Sequence, residues 1–129
     1  MKQRDTGPLD LENALLGLHR SGEATVLERG SGAPPRIDGF TVGAPRLTRE
    51  PPHGGEMHPD GAELLFLISG RVTVVLEDVD PPREVELRPG QALVVPRGVW
   101  HRVLLGEPSQ LLHVTPGPGG RHRPPAGRP

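Results

Sequence analysis

The stretch Glu56-Met57-His58-Pro59-Asp60-Gly61-Ala62-Glu63, followed by Leu64-Leu65-Phe66-Leu67-Ile68-Ser69-Gly70, sets two carboxylates and an imidazole directly ahead of an apolar run. Successive side chains of an extended chain alternate faces, so Glu56 and His58 point the same way. The Pro59-Asp60-Gly61 turn signal lets the chain double back and return Glu63 to the same point. Residues 64–68 are apolar on both faces and residues 72–76, VTVVL, nearly so, which is the pattern of strands covered on both sides. A tight turn at Ser69-Gly70 is expected to join them.

A second stretch, residues 90–101 (GQALVVPRGVWH), reads as a strand, a Pro/Gly turn and a short strand that delivers His101. Alternation puts Val99, His101, Val103 and Leu105 on one face and Trp100, Arg102 and Leu104 on the other. Further strands are expected at 24–28 (ATVLE), in two short pieces within 39–49, at 83–87 (REVEL) and at 110–115 (QLLHVT). Short strands at regular spacing with turn signals between them predict an antiparallel sandwich or barrel. Ahead of them, Leu11, Leu15 and Leu18 lie at helical spacing, with Asp10 placed as an N-cap and Gly22 as a stop, so a short amphipathic helix is expected there.

The chain has 129 residues, enough for one domain with a modest core. Its 15 basic and 16 acidic residues are near balance, which implies neither a nucleic-acid footprint nor an anionic-membrane patch. With no cysteine there is no disulfide scaffold and no thiolate metal site, so any metal chemistry must use His and carboxylates. No apolar run reaches membrane-span length, and a soluble, cytoplasmic protein is expected. Nine of the last fourteen residues, from Pro116 onward, are Pro or Gly. That composition predicts a flexible tail.

The spacings His58-x4-Glu63-x6-Gly70 and Gly90-x5-Pro96-x-Gly98-x2-His101 resemble the two motifs of the cupins, small barrels that hold a divalent metal. The likeness runs from about residue 38 to 115. The first motif usually begins His-x-His, and Glu56 stands in its leading place; the second usually closes with an Asn where Leu105 stands. The resemblance therefore implies Glu56, His58, Glu63 and His101 as metal ligands. It implies an all-β, antiparallel jelly-roll barrel over residues 37–115, preceded by a helix and arm (1–36) and followed by the tail (116–129). One divalent ion is expected, Fe or Mn favoured and Zn or Ni also suited to such donors. Two carboxylates would cancel its charge, making it a weaker Lewis acid than a three-His-one-Glu centre.

By the same resemblance the chain is expected to be a mononuclear metalloenzyme acting on a small organic molecule, most naturally by a dioxygenase-like oxidation. Isomerase or lyase chemistry is the variant, and a non-catalytic module that binds or senses a small ligand is the alternative. Fold alone does not choose among these. Glu56 has a second reading as a general base if His53 completes the metal shell, and either glutamate has a third as a hydrogen-bonding partner of the imidazoles. His113 is the other candidate catalytic group. Arg97, Trp100, Phe66 and Val103 are the candidate pocket residues, and doubly apolar strands together with the family habit predict a homodimer.

Overall fold

The structure, a computed structural model, describes residues 7–28, 34–51 and 53–124. Within them lie ten strands and no helix: β1 (Ala14–His19), β2 (Ala24–Glu28), β3 (Gly39–Gly43), β4 (Arg46–Leu47), β5 (Gly55–Met57), β6 (Glu63–Leu76), β7 (Arg83–Leu87), β8 (Ala92–Val95), β9 (His101–Gly117) and β10 (Arg121–Arg123). Every pairing is antiparallel, in the order β10-β5-β9-β3-β1-β2, with β4 also on β9 and with β6 joined to β7, β8 and β9. Strands at 24–28 and 83–87 fall where the sequence pattern puts them. No helix among the described residues is long and apolar enough to cross a membrane.

Two long strands organise the barrel. The expected pair at 64–68 and 72–76 is one continuous strand, β6, bent rather than reversed at Gly70. Its register against β9 shifts between Leu67 and Val72, and such bulges bend a strand and increase its twist. The inward-facing set passes from Leu65 and Leu67 before the bend to Val72, Val74 and Leu76 after it, a change of parity that a regular strand cannot make. Gly70 is required at the bend: its φ is +90°, and a Cβ there would run into the Ser109 hydroxyl and come within 2.6 Å of the Pro108 carbonyl. The first half of β6 pairs with β8 and the second with β7, while β9 runs beside both.

The bend brings the ends of the long strands together across the barrel. His101, which pairs with Leu76 at the far end of the ladder, meets Glu63, the first residue of β6, side chain to side chain. Leu65, Leu67, Val72, Val74, Leu76, Leu87, Val95 and Leu111 form the core. Burying an aliphatic side chain of this kind contributes roughly 1.5–3 kcal/mol. Phe66, expected to line the pocket, lies half-buried on the outer face, as does Val94, 58% exposed. A run apolar on both faces carries no signal of which face is which.

The N-terminal helix is corrected to a strand. Leu15 and Gly17 face inward while Leu16 and Leu18 face out, and β1 pairs on both edges, with β2 and with β3. A mid-helix Gly17 would have cost about 1 kcal/mol relative to Ala. The leucines fit both periods, and two ladders of backbone hydrogen bonds decide for the strand. The capping signal is genuine but local: Asp10 accepts the Glu12 N–H and the Asn13 side-chain amide, and its carbonyl accepts from Asn13 and Ala14, closing one turn.

The tail is also corrected over its described part. Pro116 and Gly117 complete β9 against β3, Pro116 being fully buried, and β10 pairs with β5 so that His122 lies opposite Glu56. Residues 125–129 of the expected tail lie outside the described residues, as do 1–6 and 29–33 of the expected arm.

Candidate metal centre

Four donors meet at the mouth of the barrel. Glu56 comes from β5 and His58 from the residue after it; Glu63 opens β6 and His101 opens β9, and Glu56 and His101 are register partners. The Pro96–Gly98 turn is tied back to the site by the Gly98 N–H, which donates to the His58 carbonyl. His58, Glu63 and His101 are buried, at 4%, 3% and 1% exposure. Such burial of ionisable groups demands pairing or a counter-ion.

The donor atoms are at ligating separations. His58 Nε2 lies 3.2 Å from Glu56 Oε1 and 3.6 Å from Glu63 Oε1; His101 Nε2 lies 2.8 Å from Glu63 Oε1 and 3.6 Å from Glu56 Oε1. Metal–ligand bonds of about 2.0–2.2 Å put neighbouring donors about 3 Å apart in six-coordinate and about 3.4 Å apart in tetrahedral geometry, so the residues fit one divalent ion. Hydrogen bonding supports the fit. The Val99 carbonyl can only accept, so His101 Nδ1 carries the proton it donates at 3.1 Å. That leaves the Nε2 lone pair of the neutral ring aimed at a carboxylate oxygen 2.8 Å away. Only a proton or a cation between them relieves that contact. Nδ1 of His58 is buried and has no hydrogen-bond partner among the described residues.

Electrostatics follow from this crowding. Burial alone would push the Glu56 carboxyl up, but hydrogen bonds from His101 and His58 and the field of both rings outweigh it and hold the group well below the usual carboxylate range. For His101, burial works against the charged ring, and hydrogen bonds to Glu56 and Glu63 with their charges overcome it, raising its pKa to about 10. Without a metal, then, a proton occupies the place of the cation.

Behind the donors runs a buried polar ladder. Glu63 Oε2 accepts the Thr115 hydroxyl at 2.6 Å, fixing Oε1 toward the imidazoles, and His113 Nδ1 donates to the same hydroxyl at 2.8 Å. Thr41, opposite Thr115 in the β3–β9 register, donates to the Thr115 carbonyl at 3.5 Å and accepts Arg36 Nη1 at 2.9 Å. On the other side, Glu56 Oε2 faces His122 Nε2 at 3.3 Å and His53 Nε2 at 3.7 Å, the two rings 5.0 Å apart edge to face. Burial lowers the pKa of His53 more than Glu56 raises it. Its Nδ1 accepts the Gly55 N–H, which leaves Nε2 to donate toward Glu56.

A cavity of about 770 Å³ opens over the site, with Glu56, Glu63 and His101 at its base. Val103 and His113 line it, as does Leu65, while residues 45–51 form one wall. The other expected pocket residues fall elsewhere. Arg97 is exposed on its turn, Phe66 faces outward, and Trp100 stacks beneath the Arg123 guanidinium, 4.0 Å from the ring centroid. His122 and Arg36, both lining the cavity, carry no sequence signal that marks them as site residues. His122 sits in a Gly/Pro-rich segment, and its only local cue is the alternating Arg-His-Arg that comes after Gly119-Gly120.

A jelly-roll barrel with two imidazoles and two carboxylates converging at its mouth belongs to the class of barrels that can hold a divalent ion between their sheets. Residues 47–115 match the family described as "Cupin domain", more than half of the chain, and the protein belongs to the cupin family. Among solved structures it is similar to a cupin-2 domain protein of Shewanella frigidimarina (19% identity, TM-score 0.51, covering 60% of this chain and 71% of that one). It is similar to a protein of Bacillus halodurans (22% identity, TM-score 0.51, covering 70% and 74%). A variant of Bacillus subtilis oxalate decarboxylase also aligns (18% identity, TM-score 0.55), over 64% of this chain but 23% of that one. At these identities the likeness is one of fold. The sequence matches no curated protein.

Proposed function

We propose that the protein is a mononuclear metalloenzyme that oxidises a small organic molecule, with Glu56, His58, Glu63 and His101 holding one divalent ion. The observation that carries this reading is the convergence of the four donor atoms, with Glu56, Glu63 and His101 lining the base of an open cavity. His58 and His101 with one carboxylate make a two-His-one-carboxylate set, the pattern of oxygen-activating non-haem iron sites. A bound divalent ion would supply a Lewis acid there and, as iron or manganese, redox chemistry toward substrate and dioxygen. The chain's own residues do the rest: Thr115 keeps Glu63 turned to the centre, Val99 holds the His101 ring, and Leu65, Val103 and Leu111 give the substrate a partly apolar floor. Manganese or iron is favoured; B. subtilis oxalate decarboxylase, whose Mn(II) centres are described, shares the fold and supports manganese.

The test is metal content together with dioxygen consumption against a panel of small organic molecules, for wild type and His58→Ala. Turnover that disappears with the metal supports the enzyme. A ligand that raises the melting temperature while no substrate is consumed would replace it with a binding module.

We also propose that the working unit is a homodimer. The outer face of the sheet carries a register-aligned apolar line, Leu16, Val42, Val114, Leu64 and Val94, crossing five strands, and Phe40 and Ile68 beside it are exposed. An apolar face of this extent calls for a cover. Light scattering should give twice the chain mass for wild type and the single-chain mass for Val94→Glu; a monomeric wild type would overturn the pairing.

A further inference from the structure

A second group of ligand-type side chains stands beside the first, built on the other oxygen of Glu56. Oε1 of that carboxylate faces His58 and His101, at 3.2 and 3.6 Å from their Nε2 atoms. Oε2 faces two further imidazoles, His122 Nε2 at 3.3 Å and His53 Nε2 at 3.7 Å. The three donor atoms of this second group lie within 4.8 Å of one another. Each oxygen of one carboxylate thus meets its own pair of rings.

The backbone explains why they meet. β5 lies between β10 and β9, and the register places His122, Glu56 and His101 in one row across the three strands. Side chains directly opposite each other in antiparallel strands share a face, with Cβ atoms about 4.5–5.5 Å apart. His53 reaches the same point from the loop ahead of β5. The Gly54 N–H donates to the Arg123 carbonyl, and Gly55 turns the chain at φ +139°. A Cβ on Gly55 would come within 3.0 Å of Glu77 Oε1 and 3.2 Å of the His101 carbonyl, so the turn needs glycine. Both rings line the cavity over the first centre, His53 21% and His122 41% exposed, and an ion can reach them from it.

We propose that the protein holds a second divalent ion, between His53, His122 and Oε2 of Glu56, and that Glu56 bridges the two centres. Two imidazoles and one carboxylate oxygen suit Zn(II), Fe(II) or Co(II) and leave a position open toward the cavity. Ions in two-metal sites stand about 3.5–4 Å apart, close enough to grip two oxygens of one substrate. This is the weaker centre for two reasons. Glu56 and Glu63 already balance the first ion, so the second brings its charge without a carboxylate of its own. To ligate, His53 must also move its ring proton from Nε2 to Nδ1 and give up the Gly55 N–H that Nδ1 now accepts. The second ion therefore fills after the first and is lost in purification without added metal. The proposal rests on the metalloenzyme reading only for that order of filling.

The test is equilibrium dialysis of the full chain against graded Zn(II), read by elemental mass spectrometry, for wild type, His53→Ala, His122→Ala and His58→Ala. Wild type should take up one ion per chain and then, at higher concentration, a second. His53→Ala and His122→Ala should keep the first step, which shows that the barrel has folded, and weaken the second by at least about tenfold to a hundredfold. Mn(II) gives an independent readout, because ions that share a carboxylate are magnetically coupled. Filling the second site should lower the paramagnetic resonance signal per Mn(II) ion in wild type and not in His122→Ala. A wild type that stops short of two ions while both variants match it, a second step that neither variant weakens, or a per-ion Mn(II) signal unchanged on double loading would each overturn the bridged pair. A single ion lost in His53→Ala and His122→Ala but kept in His58→Ala would uphold the second site and remove the first centre, and the metalloenzyme reading with it.

Discussion

The two ends of one barrel interior are built from the same strands to opposite specifications. Around the bend, β6 and β9 turn Leu67, Val72, Val74 and Leu111 inward against one another, an apolar packing beside which the buried Ser109 hydroxyl accepts the Arg71 N–H. At the mouth, the same two strands, with β3 and β5, turn in Glu63, His101, Thr115, Thr41 and Glu56. The closed end gains from removing apolar surface from water. The open end buries groups that water would otherwise solvate, and it is acceptable only because each charge meets a partner, a proton or an ion. The apolar core lies in the first and the ionisable donors in the second, and the bend at Gly70 connects them.

The comparison breaks most visibly by mutating one end and reading the other. Leu67→Ala should cost about 2–5 kcal/mol in urea unfolding, since Leu67 is fully buried, while the folded fraction keeps its metal. A parallel loss of metal affinity would mean that the ends are not separate. His58→Ala should do the reverse, weakening metal binding by more than the roughly tenfold to hundredfold typical of outer-shell changes while lowering metal-free stability less than Leu67→Ala does. Competition with a chromophoric chelator measures the affinity. Thr115→Val is the subtler probe, because it keeps the shape and deletes the hydroxyl that donates to Glu63 Oε2 and accepts from His113 Nδ1. Metal affinity should fall by about tenfold to a hundredfold, and an unchanged value would show that Glu63 needs no orienting partner.

The smallest expected effect is in pH dependence, and it separates the two states of the mouth. His101 has its pKa raised to about 10 in the metal-free protein, so its contribution is fully present below its ordinary value near 6.5 and is lost as pH rises to about 10. Glu56 is depressed, so its contribution is present above its ordinary value near 4.5 and is lost as pH falls below it. The metal-free melting temperature should therefore be highest between these ordinary values and decline toward pH 10. Metal-loaded protein should hold its melting temperature further into the alkaline range, because the ion stands where the proton was. Parallel curves for the two forms would count against His101 as a ligand.

Much of the mouth is legible in the sequence because its chemistry is written in polar residues at fixed spacing. Glu56, His58 and Glu63 straddle a Pro-Asp-Gly turn, His101 comes after a Pro/Gly turn, and strand alternation places each with little ambiguity. The closed end is harder to read. In LLFLI every residue is apolar, so nothing distinguishes the inward Leu65 from the outward Phe66, and the parity change at Gly70 depends on how β9 packs against the bend. β1 reads falsely as a helix because Leu11, Leu15 and Leu18 satisfy the helical period as well as the strand satisfies its own. β10 is hidden because Gly and Pro, which elsewhere signal a loose tail, here allow close approach: Pro116 is fully buried and Gly117 leaves room for the Ile37 backbone and Arg36 Cβ. Arg36 and His122 enter the cavity through those tertiary contacts, which no local pattern announces.

The most direct test of the central claim is the metal content of untagged protein purified without chelators, by elemental mass spectrometry, for wild type, His58→Ala and His122→Ala. About one divalent ion per chain in wild type and His122→Ala, and loss of that ion in His58→Ala, is the predicted result. A wild-type chain that stays metal-free after reconstitution, or a His58→Ala variant that holds as much metal as wild type, would contradict a metal centre at the mouth of this barrel.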